Sequence, residues 1–325
     1  MKLRIQSFWE PSAQEWDNAW EKCPFATYFQ SREWAEIWST YSHGKTKPSP
    51  RGLVFSDGVR VILPLSLARF HRGFGHRYLA SPAGTFGGWL AERHLDDDHQ
   101  RLTIDYLRKH IPNLVWRNNP YEPISTPISF GSAKADETYV LDLTEGFDEI
   151  YRKGSKGNTS AARKAQKAGV SVRLAETEDD WMAYFDVYQD SLRRWGDRAT
   201  NSYTWRLFST MWNRHSSSIN LWMANADGRC IAGAVCFYGG GHCVYWHGSA
   251  LEKALNLRPV NLLMYEVIRD ATNRGVRWFD FNPSGGLAGV ISFKRSFGAF
   301  PLSCDLITND SWKLRAMTKV INIFT

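Results

Sequence analysis

The chain runs to 325 residues, with 40 Lys and Arg against 33 Asp and Glu and a formal net charge of +7. That length is expected to fold as about two domains, and the charge favours anionic partners such as nucleotides, phosphorylated sugars or RNA. No segment approaches the roughly eighteen uninterrupted apolar residues of a membrane span, and the opening M-K-L-R-I-Q-S-F-W-E lacks the apolar core of a signal peptide.

In the first half a helix is expected over Ser31 to Thr40 and a strand over Gly52 to Phe55. Asp57-Gly58 then makes a hairpin turn into a second strand, Val59 to Ala68. Past the run H-R-G-F-G-H (His71 to His76) come a strand at Arg77 to Ala80, a helix near Asp98 to His110 and a strand at Asn113 to Arg117. The Pro- and Ser-rich stretch from Asn118 to Lys134 reads as a connection. The expected domains are therefore residues 1–135 and 136–325.

The second half opens with an uneven distribution of charge. Between Tyr151 and Arg173 stand Arg152, Lys153, Lys156, Arg163, Lys164, Lys167 and Arg173, with no acid among them. Asn158 or Thr159 suits the cap of a helix that runs to Ala168 and stops at Gly169, with Arg163, Lys164 and Lys167 on one side. Lacking a compensating Glu, that face is either an ordinary solvated surface or an anion-binding one. The acidic block Glu176 to Asp180 suits the N-terminus of the next helix.

A meander comes next: strand Ile219 to Ala226, turn Asp227-Gly228, strand Cys230 to Tyr238, turn Gly239 to Gly241, strand His242 to Gly248. Pro259 opens a helix where its missing N–H matters least. Val260, Leu263, Met264, Val267, Ile268 and Ala271 form its apolar stripe, and Gly275 ends it. Strand Val276 to Phe281 then enters the segment N-P-S-G-G-L-A-G-V-I-S-F-K-R-S-F-G. Gly285, Gly286 and Gly289 imply a sharp turn or a close approach to a ligand, and Lys294 and Arg295 bring positive charge beside it. Taken alone, this segment is equally a surface hairpin with solvated charges. Both halves thus read α–β–β–β–α–β, a repeat of structure rather than of sequence, and the class is α+β.

A meander followed by a helix and a strand is the order found in acetyltransferases of the GNAT class, here doubled. The chain resembles the FemABX family, transferases built from two GNAT-like domains. The resemblance rests on F-Q-S-R-E-W (Phe29 to Trp34), A-R-K-A-Q-K-A-G-V (Ala162 to Val170), S-L-R-R-W-G (Ser191 to Gly196), R-P-V-N-L-L (Arg258 to Leu263) and the F-D-F-N…F-K-R-S-F-G stretch. It implies two tandem GNAT-like domains, each a mixed, mostly antiparallel sheet flanked by helices, with the transfer site in the second. It also implies transfer of an acyl group onto an amine. In the best-studied members an aminoacyl-tRNA donates an amino acid to the peptide stem of a cell-wall (peptidoglycan) precursor, in the cytoplasm.

Carried over by motif, Lys294 matches a lysine beside the donor and the developing oxyanion, where a compact cation is chemically apt. Arg194 matches an arginine that grips acceptor phosphates, with Arg193 one position away. Phe293, Asn282 and Arg258 lie in matched motifs and join Arg194, Arg163, Lys164 and Lys167 as expected substrate-binding residues. Two departures stand out. Ala35 to Trp38 offers Glu36 where characterised members have a lysine, which puts binding of the same UDP-sugar peptide in question. No long helical arm is inserted, so contact with tRNA would fall to surfaces such as Lys156 to Lys167.

The donor, aminoacyl-tRNA or acyl-CoA, is expected as a cosubstrate, with no tightly bound cofactor. Coenzyme A enzymes of the GNAT class present the pyrophosphate to [QR]-x-x-G-x-[GA] at a helix N-terminus; here the turn is N-L-R-P-V-N (Asn256 to Asn261), without glycine. For a general base the candidates are Asp280 and His247, the latter with an imidazole suited to titrate near neutrality. Asp280 is equally an anchor for its loop. The five cysteines form no C-x-x-C pair, so they are expected as buried thiols in a reducing compartment, with no metal centre. Two other readings stay open. One is an acyl-CoA-dependent N-acyltransferase of polysaccharide or secondary-metabolite biosynthesis; the other is a non-catalytic nucleotide- or RNA-binding module. The acceptor is expected to be a small or nucleotide-linked amine. Peripheral membrane contact and oligomeric state are left open.

Overall fold

The structure, a computed structural model, describes residues 2–70, 75–122, 124–126, 128, 130–199, 201–311 and 314. The chain divides into two compact units, residues 1–137 with 303–325, and residues 138–302.

Two elements not expected from the sequence open the first unit, β1 (Ile5–Trp9) and α1 (Ala13–Lys22). Ser12 starts α1 through a capping box with Glu15. Next come α2 (Arg32–Tyr41), β2 (Thr46–Pro48), β3 (Arg51–Phe55), β4 (Arg60–Leu63), β5 (Ser66–Phe70), β6 (Gly75–Leu79), α3 (Asp97–His110), β7 (Leu114–Arg117) and β8 (Ser132–Lys134). The single strand expected over Val59 to Ala68 is two strands in two different sheets. Pro64 lies between them; it has no N–H for a ladder and constrains the residue before it. Residues 71–74 of the H-R-G-F-G-H run lie outside the described residues.

The second unit contains β9 (Glu137–Asp142), α4 (Phe147–Lys153), α5 (Lys156–Lys167), β10 (Ser171–Leu174), α6 (Glu178–Trp195), α7 (Trp205–Trp212), β11 (Ile219–Ala226), β12 (Arg229–Gly239), β13 (His242–Ala250), α8 (Pro259–Asn273), β14 (Trp278–Asp280), α9 (Ala288–Arg295) and β15 (Phe300–Ser303). Its sheet runs β10-β11-β12-β13-β14-β9-β15. The meander is antiparallel throughout and β14 joins it in parallel. Asp227 and Gly228 both take positive φ in the tight turn between β11 and β12. Alternate residues of β12 (Ala232, Ala234, Cys236, Tyr238) enter one core with α5 and α8. On the opposite side Gly233 leaves room for the Tyr184 ring of α6, which a Cβ would approach to 2.4 Å.

The last described strand, β16 (Leu306–Asn309), returns to the first unit. There it pairs with β7 and β8 and completes the sheet β2-β5-β6-β7-β16-β8. Its buried Ile307 stands opposite Trp116. Residues from Ser303 onward therefore group with the first unit, where the sequence reading had carried the second domain through to 325.

The basic stretch also changes character. Ser155, not Asn158 or Thr159, caps α5 and accepts the Asn158 N–H. Flanking acids neutralise three of the seven cations: Arg152 pairs with Glu149, Lys153 with Glu145, and Arg173 with Asp180. The last pair also holds the Asp180 carboxyl well below its ordinary range, while Asp180 closes the capping box of α6 with Thr177.

Candidate active site

The second unit places its unusual backbone where two strands part. β13 is bonded to β12 along its length, with a register shift that leaves Trp246 as the extra residue of a bulge between Tyr245 and His247. On its other edge β14 follows β13 only from His242 to Val244, paired with Trp278 to Asp280. Beyond Asp280 the chain leaves through Asn282 (φ 63) and Pro283, while β13 continues to Ala250. Among the described residues no strand covers that edge past Val244.

Tyr245 sits at the mouth of this splay. Its ring lies edge-on to Phe281 at 6.5 Å and across Gly248, where any Cβ would collide with its hydroxyl. A glycine within a strand is the trace such a close approach leaves in sequence, yet Tyr245 was not among the expected site residues. Its hydroxyl makes no hydrogen bond among the described residues, and burial pushes the phenol far above its ordinary range.

His247 faces a different environment. Its Nδ1 is hydrogen-bonded to the Tyr184 hydroxyl at 2.6 Å. The rings of Tyr188 and Phe208 meet it edge-on, with centroids at 4.5 and 5.5 Å. Desolvation by this aromatic nest pulls His247 down to about 3. The expectation of titration near neutrality is thereby corrected: burial among these rings keeps the imidazole neutral, with one hydrogen bond to Tyr184.

Asp280 and Lys294 are both buried. The Asp280 carboxylate accepts the Thr138 hydroxyl and, at 2.6 Å, the Asn282 N–H. From the other side Lys294 Nζ donates to the Asn282 carbonyl. Opposite charges thus hold both ends of a single residue, which suits Asn, the side chain most at home at positive φ after glycine. The Gly-rich segment ends in α9 rather than a hairpin, and that helix carries Lys294 inward. Phe293, partly buried, packs against Phe297 of the core at 5.1 Å. Arg295 lies over the Tyr139 ring at 5.4 Å.

A second feature lies at the start of α8. The first residues of α5 and α8 meet at a cleft of about 480 Å³ lined by Ser155, Gly157, Asn158, Lys164, Arg258 and Asn261 among others. Arg258 caps α8 in the left-handed conformation, with Pro259 as the first helical residue. Asn261 donates to Asn158 Oδ1, and Asn158 donates to Tyr265 and to the Ser296 carbonyl, so side-chain amides tie the two helix starts together. Of the three cations expected on one side of α5, only Lys164 lines this cleft. Arg163 turns to Tyr151, whose hydroxyl it reaches at 3.3 Å, and exposed Lys167 is not among the lining residues. Asn158 was noticed in sequence only as a helix cap and Asn261 only within R-P-V-N-L-L; neither was expected to line a site. Arg194 donates to the Ala250 carbonyl at 3.3 Å, at the end of β13, whereas neighbouring Arg193 pairs with Asp190. That separates the two arginines the sequence had left ambiguous.

Among the described residues no helix is long and apolar enough to cross a membrane, and no group of three or more His, Cys, Asp or Glu is placed to hold a metal ion.

Residues 152–295 match the family model of the acetyltransferase (GNAT) domain. They run from the end of α4 through α9 and make the second unit an acyltransferase domain. Solved structures extend the likeness to both units. FemX superposes with a TM-score of 0.70 at 12% identity, covering 94% of this chain and 98% of that one. L-PGS from Bacillus licheniformis gives 0.59 at 13% identity, covering 96% of each chain. A tandem GNAT protein from the clavulanic acid biosynthesis pathway gives 0.50 at 12%, covering 95% and 99%. No curated protein matches in sequence. At such identities the likeness establishes the fold, the expected pair of tandem GNAT-like α+β domains.

Proposed function

For a double-GNAT acyltransferase of the FemABX-like class, which this chain is by fold and by its GNAT domain, we propose that the second unit transfers an aminoacyl group from a charged tRNA onto a primary amine of a cell-envelope or metabolite precursor. The observation that carries this reading is the cleft where α5 and α8 begin. It presents two helix N-termini together with Lys164 and Arg258 to an anion. Its cations are side chains, and the α8 turn has Arg258-Pro259 where a pyrophosphate cradle would need glycine and free N–H groups. Such a bowl suits the phosphodiester end of a tRNA better than a coenzyme pyrophosphate.

In the step itself, the amine nitrogen bonds to the acyl carbon and the ester C–O bond breaks. The leaving oxygen takes up a proton and the new ammonium loses one. Tyr245, protonated and without a protein partner among the described residues, is suited to give its proton to the leaving oxygen and regain one from the amine. Lys294 fixes the loop through the Asn282 carbonyl and adds positive potential for the oxyanion. Asp280 balances that charge and anchors the loop. Arg194, with one guanidinium nitrogen on β13, offers its remaining donors to acceptor phosphates. Phe293 shapes the wall behind Lys294. Arg163 and Lys167 extend the basic surface beside the cleft.

A second reading, an acyl-CoA donor, is favoured by the match of α8 to an acetyltransferase domain model. Mass spectrometry on the protein incubated with mixed charged tRNAs, and separately with acyl-CoAs, decides between them. Discharge of the tRNA pool alone is the expected result, and discharge of CoA alone overturns the choice of donor.

A further inference from the structure

The loop between β14 and α9 holds two polar atoms with nothing to bind. Asn282 Oδ1 and Ser284 Oγ are both shut off from solvent and make no hydrogen bond. Ser284 as a residue is only 8% exposed. Each such atom costs the free protein about 1–3 kcal/mol in lost solvation, and native structures seldom tolerate two within three residues without a reason. The Asn282 backbone cannot shift to relieve this cost, because Asp280 holds its N–H and Lys294 its carbonyl. The neighbouring segment ahead of α9 is open: residues 285–287 are all exposed, and Gly285 and Gly286 both take positive φ with open space where a Cβ would be.

We infer that Asn282 Oδ1 and Ser284 Oγ are the receptor for the N–H groups of a primary amine, with the 285–287 segment swinging aside to admit it. The inference rests on the acyl-transfer reading for its purpose, but its chemistry is that of the site alone. An amide oxygen and a hydroxyl oxygen are acceptors without being bases. They can accept both N–H bonds of a neutral primary amine and leave the nitrogen lone pair free to attack the acyl carbon. The position fits, since the loop leaves the sheet where β13 and β14 part and the splay would hold the acyl carbon. A secondary amine loses one of the two bonds and a tertiary amine loses both, so the pair selects for primary amines.

Binding of glycinamide, sarcosinamide and N,N-dimethylglycinamide, followed by saturation-transfer NMR, tests this directly. At a pH where the probes are neutral amines, the affinity of the wild type is expected to fall about fivefold for each N–H replaced by methyl, the worth of a neutral hydrogen bond. Asn282→Gly, which keeps the positive φ, and Ser284→Ala should each bind glycinamide and sarcosinamide alike and the dimethyl probe more weakly, the double variant should bind all three alike, and no variant should melt below the wild type. Wild-type protein that binds none of the three, or all three equally, overturns the inference, as do variants that keep the wild-type ranking. Failure of the acyl-transfer reading looks different: no donor is discharged to any amine, while the ranking of the three probes still depends on Asn282.

Discussion

Two regions of the second unit carry titratable side chains beside the same strand, and they are finished differently. Around His247 most polar groups have partners: Tyr184 bonds the imidazole, the Tyr188 hydroxyl donates to the Asn201 carbonyl, and Ser191 donates to the Ala250 carbonyl, while Ser249 Oγ is left without one. Around the β14–α9 loop the backbone is gripped by buried charges, yet Asn282 Oδ1 and Ser284 Oγ are left without partners, as is the hydroxyl of Tyr245 among the described residues. A closed polar network specifies a fold, whereas unmatched polar atoms on a rigid frame await a ligand. On the reading proposed above, the nest serves the fold and the loop serves the reaction, although a histidine is the more usual choice for acid–base chemistry.

Replacing the charge in the loop should separate the two regions most sharply. Lys294→Met is expected to lower turnover by about 100-fold or more, as removal of transition-state charge stabilisation does. It should also lower stability by about 1–3 kcal/mol, because the buried Asn282 carbonyl loses its donor. Steady-state kinetics and a denaturant titration report the two effects. Wild-type turnover in this variant would return Lys294 to a purely structural role. Tyr245→Phe should slow turnover by about 100-fold with an unchanged unfolding midpoint, since no protein bond is lost. A large stability change there would mean that Tyr245 belongs with the closed region after all.

The contrast also shows what was legible in the sequence. The meander and the Pro259 helix were readable because hydrophobic period and turn residues act locally. Lys294 was singled out by its motif, and the Gly-rich approach to it was visible. The burial of that lysine was not, because it depends on α9 forming and on Asn282 lying at the end of a strand twelve residues earlier. His247 looked titratable because Y-W-H-G says nothing about Tyr184 and Phe208, which arrive from α6 and α7. The split at Pro64 was available locally and was missed because the apolar run on both sides masked it.

The cleft between α5 and α8 gives a smaller test. Lys164→Ala and Arg258→Ala should each weaken tRNA binding about tenfold and reduce the slope of log affinity against log salt by about one. Arg163→Ala should change that slope less, because its guanidinium is turned to Tyr151. Filter binding across a salt series measures all three. Equal slopes for the three variants would dissolve the cleft into a general basic surface.

The smallest effect concerns the closed region and is visible only in pH dependence. Unfolded histidine titrates near 6.5, while folded His247 is held down to about 3. Between those values the unfolded chain takes up the proton and the folded protein does not. Stability is thus fully present above about pH 6.5 and falls as the pH drops, by at most about 1.4 kcal/mol per unit. His247→Asn should remove this contribution to the slope in denaturant titrations at pH 7 and pH 5, and should leave the pH profile of turnover unchanged between about pH 6 and pH 8. If the variant instead abolishes an acidic limb of turnover in that range, His247 is taking a proton during the reaction, and the nest opens to the substrate as the loop does.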